Sequence, residues 1–309
     1  MRITIFGIGA MGCLFGAWLT PHAQVTLVGR WPEQLAALQR APLRLTSPDG
    51  DEQRVWLRAT ADARATAPAD IALILTKAPR TADAARQAAE TLAADGLAIT
   101  LQNGLGNLET LACHVGPERA AVGVTTQGAT VAAPGWVIWA GGGPTYLATQ
   151  PAQQERLRRF ADLCARAGIE VQLTDDIQAL LWSKLAVSAA INPLTALLRV
   201  PNGALLASGW ARQIMEQAAR EVQAVAAAHG IRLLFDDAGA QAEQVARQTA
   251  ANRSSMLQDV LRGAESEIEA ICGAVIRQAD AVGVDAPVNR WLYALLKALD
   301  ETRATRVGG

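Results

Sequence analysis

Short aliphatic runs alternate with alanine-rich stretches through the first half of the chain. RITIFG (2–7), QVTLVG (24–29), LRLTS (43–47), VWLRAT (55–60), IALILT (71–76), LAITLQ (97–102), AAVGVT (120–125) and WVIWAG (136–141) predict strands. The intervening patterns predict helices over 10–20, 32–39, 80–95 and 105–114. Strands alternating with helices indicate a mainly parallel sheet covered on both faces. The pair within 43–60, joined through SPDGDE, reads as an antiparallel hairpin set into that pattern. A helix over 151–168 then leads to a strand, IEVQLT (169–174). Beyond Asp175 the strand pattern stops, and 177–302 is rich in Ala, Leu, Gln, Arg and Glu, all good helix formers. The predicted class is an α/β domain over 1–174 followed by an all-helical domain over 175–309. The tail ATRVGG is expected to be disordered.

One stretch breaks the usual segregation of polar and apolar faces. In WSKLAVSAAINPLT (182–195), Lys184, Ser188 and Asn192 recur every fourth place in an otherwise apolar segment. Residues four apart share a helix face. A soluble helix normally shows a broad polar face. A narrow polar line implies a helix buried on most sides, with one edge against a polar cavity.

The start of the chain narrows what fills such a cavity. Ile3–Leu19 carries no charge and could be a signal peptide or a marginal membrane span. Its glycines at 7, 9, 12 and 16, and the strand pattern directly after it, fit a strand, a glycine turn and a buried helix instead. GIGAMG (Gly7, Ile8, Gly9, Ala10, Met11, Gly12) matches G-x-G-x-x-G between a predicted strand and a predicted helix. Gly7 would allow the tight turn, Gly9 the approach of a pyrophosphate, and Gly12 close helix–sheet packing. The helix N-terminus would offer its unpaired N–H groups to phosphate. This is the Rossmann-type dinucleotide-binding pattern; without a ligand it would be only a tight turn. The second strand ends in Gly29-Arg30, where NAD-binding chains usually place Asp or Glu. Arg30 can pair with a 2′-phosphate, which favours NADPH; a solvated arginine is the alternative. Lys77 and Asn103 each lie just beyond an apolar strand, where ligands bind in open α/β sheets. A surface lysine and an Asn-Gly turn are the alternatives.

In the helical half, NRSSMLQD (252–259) places Asn252 and Ser255 on one predicted helix face, and Gly263 interrupts that helix. Ser266-Glu267-Ile268-Glu269 resembles a capping box that opens the next helix, with Glu267 in its first turn.

Composition removes several other function classes. The 28 basic and 29 acidic residues nearly cancel, so no basic footprint for nucleic acid or an anionic membrane exists. Cys13, Cys113, Cys164 and Cys272 are scattered and read as buried, reduced thiols of a cytoplasmic protein, not as disulfides or a metal site. His22, His114 and His229 lack ligand-like spacing, so acid chemistry falls to another residue type.

Taken in order, GIGAMG, Arg30, TKAP with Lys77, LQNGLGN with Asn103, WSKLA…INPLTAL, PNGAL with Asn202, NRSSMLQD, SEIE with Glu267 and GVDAPVN resemble the ketopantoate reductase (2-dehydropantoate 2-reductase) family over most of the chain. The resemblance implies a Rossmann domain that binds NADPH and a helical domain that closes over a 2-oxo acid. It implies Lys184 as the catalytic lysine and Glu267 as its acidic partner. Ser255 would bind the substrate carboxylate, and Asn103, Asn192, Asn202 and Asn252 would line the site. The polar stripe would then face a cleft opposite the nicotinamide. Hydride would reach the C2 carbonyl carbon, and the Lys184 ammonium would stabilise the growing oxyanion and protonate it. Many family members carry asparagine where this chain has Ser188. A hydroxyl lacks the separate donor and acceptor of an amide, which leaves open another branched 2-oxo acid as substrate. A non-catalytic NADPH-sensing protein is the rival outside enzymes. An apolar face in the helical half could pair with a second copy, making a homodimer possible.

Overall fold

The computed structural model describes residues 1–303, so the ATRVGG tail lies outside the described residues. The chain divides into two compact units. One holds Met1–Gln102 and Asn107–Ile177; the other holds Asn103–Gly106 and the chain from Gln178 onward.

The first unit is α/β. Its strands are β1 (Arg2–Phe6), β2 (Gln24–Val28), β3 (Leu43–Thr46), β4 (Glu52–Val55), β5 (Arg58–Thr60), β6 (Ala69–Ile74), β7 (Leu92–Thr100), β8 (Ala120–Thr125), β9 (Ala129–Ala133), β10 (Trp136–Trp139), β11 (Thr145–Ala148) and β12 (Val171–Thr174). Its helices are α1 (Ala10–Leu19), α2 (Pro32–Arg40), α3 (Thr81–Thr91), α4 (Asn107–Val115) and α5 (Gln154–Arg166). Eight strands form one sheet in the order β12-β11-β8-β7-β6-β1-β2-β5, parallel except where β11 meets β8. The chain moves outward from β1 to β2, then returns to β6 on the other side of β1. That reversal is the switch point at which open α/β sheets bind ligands.

Both faces of the sheet are covered. On one side α3 and α4 bury Phe6, Ile74, Ala98 and Leu111. On the other, Leu14 and Phe15 of α1 share a core with Ile5, Leu27 and Leu97, and also with Leu43, Leu45 and Val137 of a second, four-stranded sheet. α1 is thus covered by two sheets, so it needs no polar face. That accounts for the uncharged run at the start of the chain.

The predicted hairpin over 43–60 is only partly formed. β3 and β4 pair antiparallel, but the chain then changes sheets, and β5 lies parallel to β2. The switch occurs at Trp56-Leu57, where Leu57 turns into the core and Trp56 out to solvent. β9 and β11, only five and four residues long, carry too little pattern to be predicted.

The second unit is helical: α6 (Ile177–Leu198), α7 (Gly209–Ala228), α8 (Ala238–Gln248), α9 (Ser255–Leu261), α10 (Cys272–Val282) and α11 (Pro287–Glu301). α6 is long and apolar enough to cross a membrane, yet most of it is buried in this unit's own core. Trp182, Leu185, Ala189 and Leu194 pack there with Met215, Val222, Met256 and Leu292. The GVDAPVN motif is structural. Glu221 of α7, buried, accepts the Val288 and Asn289 backbone N–H groups and the Asn289 side-chain amide, each at 2.9 Å. One carboxylate therefore caps α11 from another helix, where the dipole also favours it.

Glu221→Ala should remove the shared acceptor of two backbone N–H groups and one side-chain N–H at the start of α11 and destabilise the protein by roughly 2–4 kcal/mol in urea unfolding. An unchanged midpoint would refute this capping role.

Candidate functional site

The glycine turn has the geometry its sequence predicts, for separable reasons. Gly7 has φ +126°, and a Cβ there would lie 2.6 Å from the Leu75 carbonyl oxygen. A Cβ on Gly12 would lie 1.9 Å from the Gly7 oxygen, so the helix can meet the turn only without a side chain. Gly9 differs: a Cβ there would meet nothing within 4 Å. The protein itself does not require glycine at position 9, which leaves a closely approaching ligand as the reason. Gly9 is also the N-cap of α1, and no side chain caps that helix. The first-turn N–H groups, from Ala10 onward through Met11, have no acceptor within the helix. They suit a pyrophosphate.

Beside this turn lies a cavity of about 370 Å³ lined by Phe6, Val28, Arg30, Arg80 and Asp83, among others. Arg30 is exposed and touches Asp83 at 3.5 Å. An exposed pair of that length contributes roughly 0–1 kcal/mol, so an incoming phosphate can take Arg30 at little cost. Arg80, three residues past Lys77, is a second cation on the wall. Sequence reading passed over it because the strand-end rule points only at the first polar residue.

The loops after β6 and β7 are set by a buried polar network. The Gln102 side-chain amide donates to the Thr76 carbonyl at 2.9 Å and to the Thr81 hydroxyl at 2.8 Å. Its oxygen accepts the Thr100 hydroxyl at 2.8 Å, and Thr81 in turn donates to Asn107 at 3.0 Å. Lys77 is half-buried directly after Thr76. Half-buried Asn103 directly follows Gln102 but belongs to the other unit.

In the helical unit, Lys184, Ser188 and Asn192 are half-buried on α6, while Leu185, Ala186, Ala189, Ala190 and Ile191 are buried. The narrow polar line is therefore real. Burial pushes the Lys184 pKa from 10.5 down to about 8, and the nearby charge of Glu267 acts to raise it. Glu267 itself is buried. One turn past Asn192, the Thr195 hydroxyl lies 2.7 Å from that of Ser254, which caps α9 by accepting the Leu257 N–H. This bond ties the Asn192 end of α6 to the first residue of α9, half-buried Ser255. Pro193 within α6 is tolerated there, and the Thr195 hydroxyl donates to the Ile191 carbonyl at 2.9 Å.

Three expectations need correction. Asn252 does not share a helix face with Ser255: α9 begins only at Ser255, and Asn252 is exposed before it. Its backbone carbonyl instead accepts the Asn202 N–H at 3.0 Å. Ser266 does not open a capping box. Its hydroxyl donates to Asp300, α10 starts at Cys272, and Glu267 lies in the turn before it. Asn202, close by in the same segment pairing, is buried and donates its side-chain amide to Thr249 at 2.9 Å. Cys113 is exposed, whereas burial pushes the Cys13 and Cys164 thiols up to about 12. His229, against Trp182 and the Gln278 carbonyl, is structural.

The family model described as ketopantoate reductase PanE/ApbA matches residues 3–151, and the model for the C terminal part of that family matches 176–300. The chain belongs to the ketopantoate reductase family. It is 36% identical over 300 residues to the 2-dehydropantoate 2-reductase of Halobacterium salinarum, covering 96% of this chain and 98% of that one. The Archaeoglobus fulgidus 2-dehydropantoate 2-reductase is 34% identical, with 97% and 98% covered. Among solved structures, a family member from Ralstonia eutropha superposes with TM-score 0.89 at 31% identity, covering 98% and 100%. A D-mandelate dehydrogenase solved with NADH and anilino(oxo)acetate superposes with TM-score 0.91 at 25% identity, covering 98% and 99%. The protein is an oxidoreductase that uses a nicotinamide dinucleotide.

Gly9→Ala should leave the unfolding midpoint of the cofactor-free protein unchanged and weaken dinucleotide binding by on the order of tenfold or more. A fluorescence titration showing parental affinity would remove the ligand explanation for Gly9.

Proposed function

We propose that this reductase converts 2-dehydropantoate to pantoate with NADPH, using Lys184 as the proton donor. The observation that carries the mechanism is a half-buried lysine on an otherwise apolar helix face with the buried Glu267 carboxylate near it; burial lowers the amine's pKa to about 8 and the carboxylate opposes the shift. Bound at the glycine turn, the dinucleotide supplies the hydride for the C2 carbonyl carbon. The residues of the chain do the rest. Gly7, Gly9, Ala10, Met11 and Gly12 shape and line the pyrophosphate site. Arg30, with Arg80 beside it, supplies positive charge for a 2′-phosphate; that is the support for NADPH over NADH. Lys77 and Asn103 orient the cofactor. The Lys184 ammonium lies at the substrate carbonyl oxygen, stabilises the charge developing there and hands over its proton. Glu267 keeps the amine charged and aimed. Asn192 and Ser255, tied together through Thr195 and Ser254, hold the acid end of the substrate.

A second reading within the family has its own support. Ser188, on the polar line of α6, offers a substrate only a hydroxyl, and the fold superposes equally well on a D-mandelate dehydrogenase. It would make the substrate a different 2-oxo acid. Rates measured with a panel of 2-oxo acids and both cofactors separate the two. Ketopantoate with NADPH should be fastest, and a faster aromatic or unbranched 2-oxo acid would replace the first reading with the second.

Lys184→Ala should bind NADPH like the parent and lose turnover by roughly a hundredfold or more. Parental turnover would end the mechanism. Arg30→Ala should weaken NADPH far more than NADH, and equal weakening would remove the argument for the 2′-phosphate.

The pH dependence has a definite sign. Reduction needs the protonated amine, so the rate should hold at neutral pH and fall as pH rises through about 8. Glu267→Gln removes the charge that raises the amine, so this limb should move to lower pH. The midpoint can also be read without turnover. The chain contains only three lysines, at 77, 184 and 297, so lysine labelled with carbon-13 at the ε position gives three signals. One of them should titrate near 8.

A further inference from the structure

Asn103–Gly106 folds with the helical unit although it joins β7 to α4 of the other unit. The reason is a backbone contact. The Leu105 N–H donates to the Ala270 carbonyl at 3.0 Å, and a Cβ on Gly104 would lie 2.1 Å from that same oxygen. Gly104 also has φ +85°. Ala270 closes the turn that carries Glu267: the Ala270 and Ile271 N–H groups both reach the Glu267 carbonyl at 3.1 Å. The two peptides therefore lie against each other with no room for a side chain between them.

We infer that Gly104 and the Leu105–Ala270 hydrogen bond form a latch that sets Asn103 in register with the Glu267 turn, and so with Lys184. Gly104 is a positioning residue. It touches no substrate and acts by letting two loops meet. This rests on the roles given above to Asn103, Lys184 and Glu267. Displacement of the turn moves the carboxylate away from the amine. Displacement of the loop misplaces Asn103.

The loop contains its own control. Gly106 has nearly the same backbone conformation, φ +89°, but a Cβ there would meet nothing within 4 Å. Gly106→Ala therefore measures the strain of a left-handed alanine alone, and Gly104→Ala adds loss of the latch. Compared with Gly106→Ala, Gly104→Ala should lower kcat by on the order of a hundredfold, the effect of a displacement near 1 Å. NADPH affinity by fluorescence should change little in comparison. In the cofactor-free protein, the Lys184 carbon-13 titration should move to lower pH in Gly104→Ala and stay at its parental midpoint in Gly106→Ala. General loss of stability would reduce the folded fraction without moving that midpoint. Equal kcat and equal titration in the two variants would overturn the latch, while the Lys184→Ala experiment tests the underlying mechanism separately. If Gly104→Ala does not fold, hydrogen exchange on the unaltered protein decides. The Leu105 amide should exchange as slowly as the Ala270 and Ile271 amides, and rapid exchange at Leu105 would dismiss the latch.

Discussion

A lysine ammonium placed on an apolar helix loses hydration that nothing apolar can replace. At Lys184 the shift from 10.5 to about 8 corresponds to roughly 3 kcal/mol against the charged form. The charge of Glu267 opposes this loss and holds the amine above where burial alone would leave it. The pair thus holds a group that is still charged near neutrality and yet gives up a proton far more readily than an exposed lysine. That compromise suits the proton-donor role proposed for Lys184, and three elements of the helical unit meet there. α6 brings the amine, the turn before α10 brings the carboxylate, and the Thr195–Ser254 bond fixes α9 alongside.

The same requirement for fixed polar groups in apolar surroundings recurs at the ends of β6 and β7. Loops that leave a buried parallel sheet must find partners for their polar groups as they emerge. Gln102 does this by bonding the β6 loop through Thr76, the start of α3 through Thr81, and its own strand through Thr100. Side chains that follow such a network, Lys77 and Asn103, inherit its rigidity. A polar group at a strand end gains orientation from such a fixed starting point.

Elements with strong periodicity and a chemical reason for their residues were legible from the sequence. β1, α1 and β2 follow from aliphatic runs around a glycine turn, and the α6 stripe follows from polar residues four apart. What was illegible depends on contacts remote in sequence. Nothing in VWLRAT indicates that the chain leaves one sheet and enters another at Trp56. Nothing in SEIE shows that Ser266 is drawn to Asp300, 34 residues away, so that a local capping pattern does not form a cap. Asn202 enters the expected site through the family resemblance alone, and nothing in PNGAL shows its remote partner Thr249. Arg80 was missed because cavity walls assemble from several strand ends, and no single motif contains them.

One compositional signal bears directly on the chemistry. The chain has 28 basic residues and three are lysines, so arginine serves nearly everywhere that only positive charge is needed. Arginine cannot supply a proton near neutral pH, because its guanidinium stays protonated in proteins. An arginine at position 184 could stabilise an oxyanion but could not finish the reduction. Histidine could donate, but burial would depress a pKa that already starts near 6.5 and leave it neutral at pH 7. Lysine starts high enough that the same burial, with Glu267 opposing it, leaves it at about 8. The surroundings of the proposed donor and its identity are therefore linked: among cationic side chains, in a protein otherwise committed to arginine, lysine is the one that fits position 184.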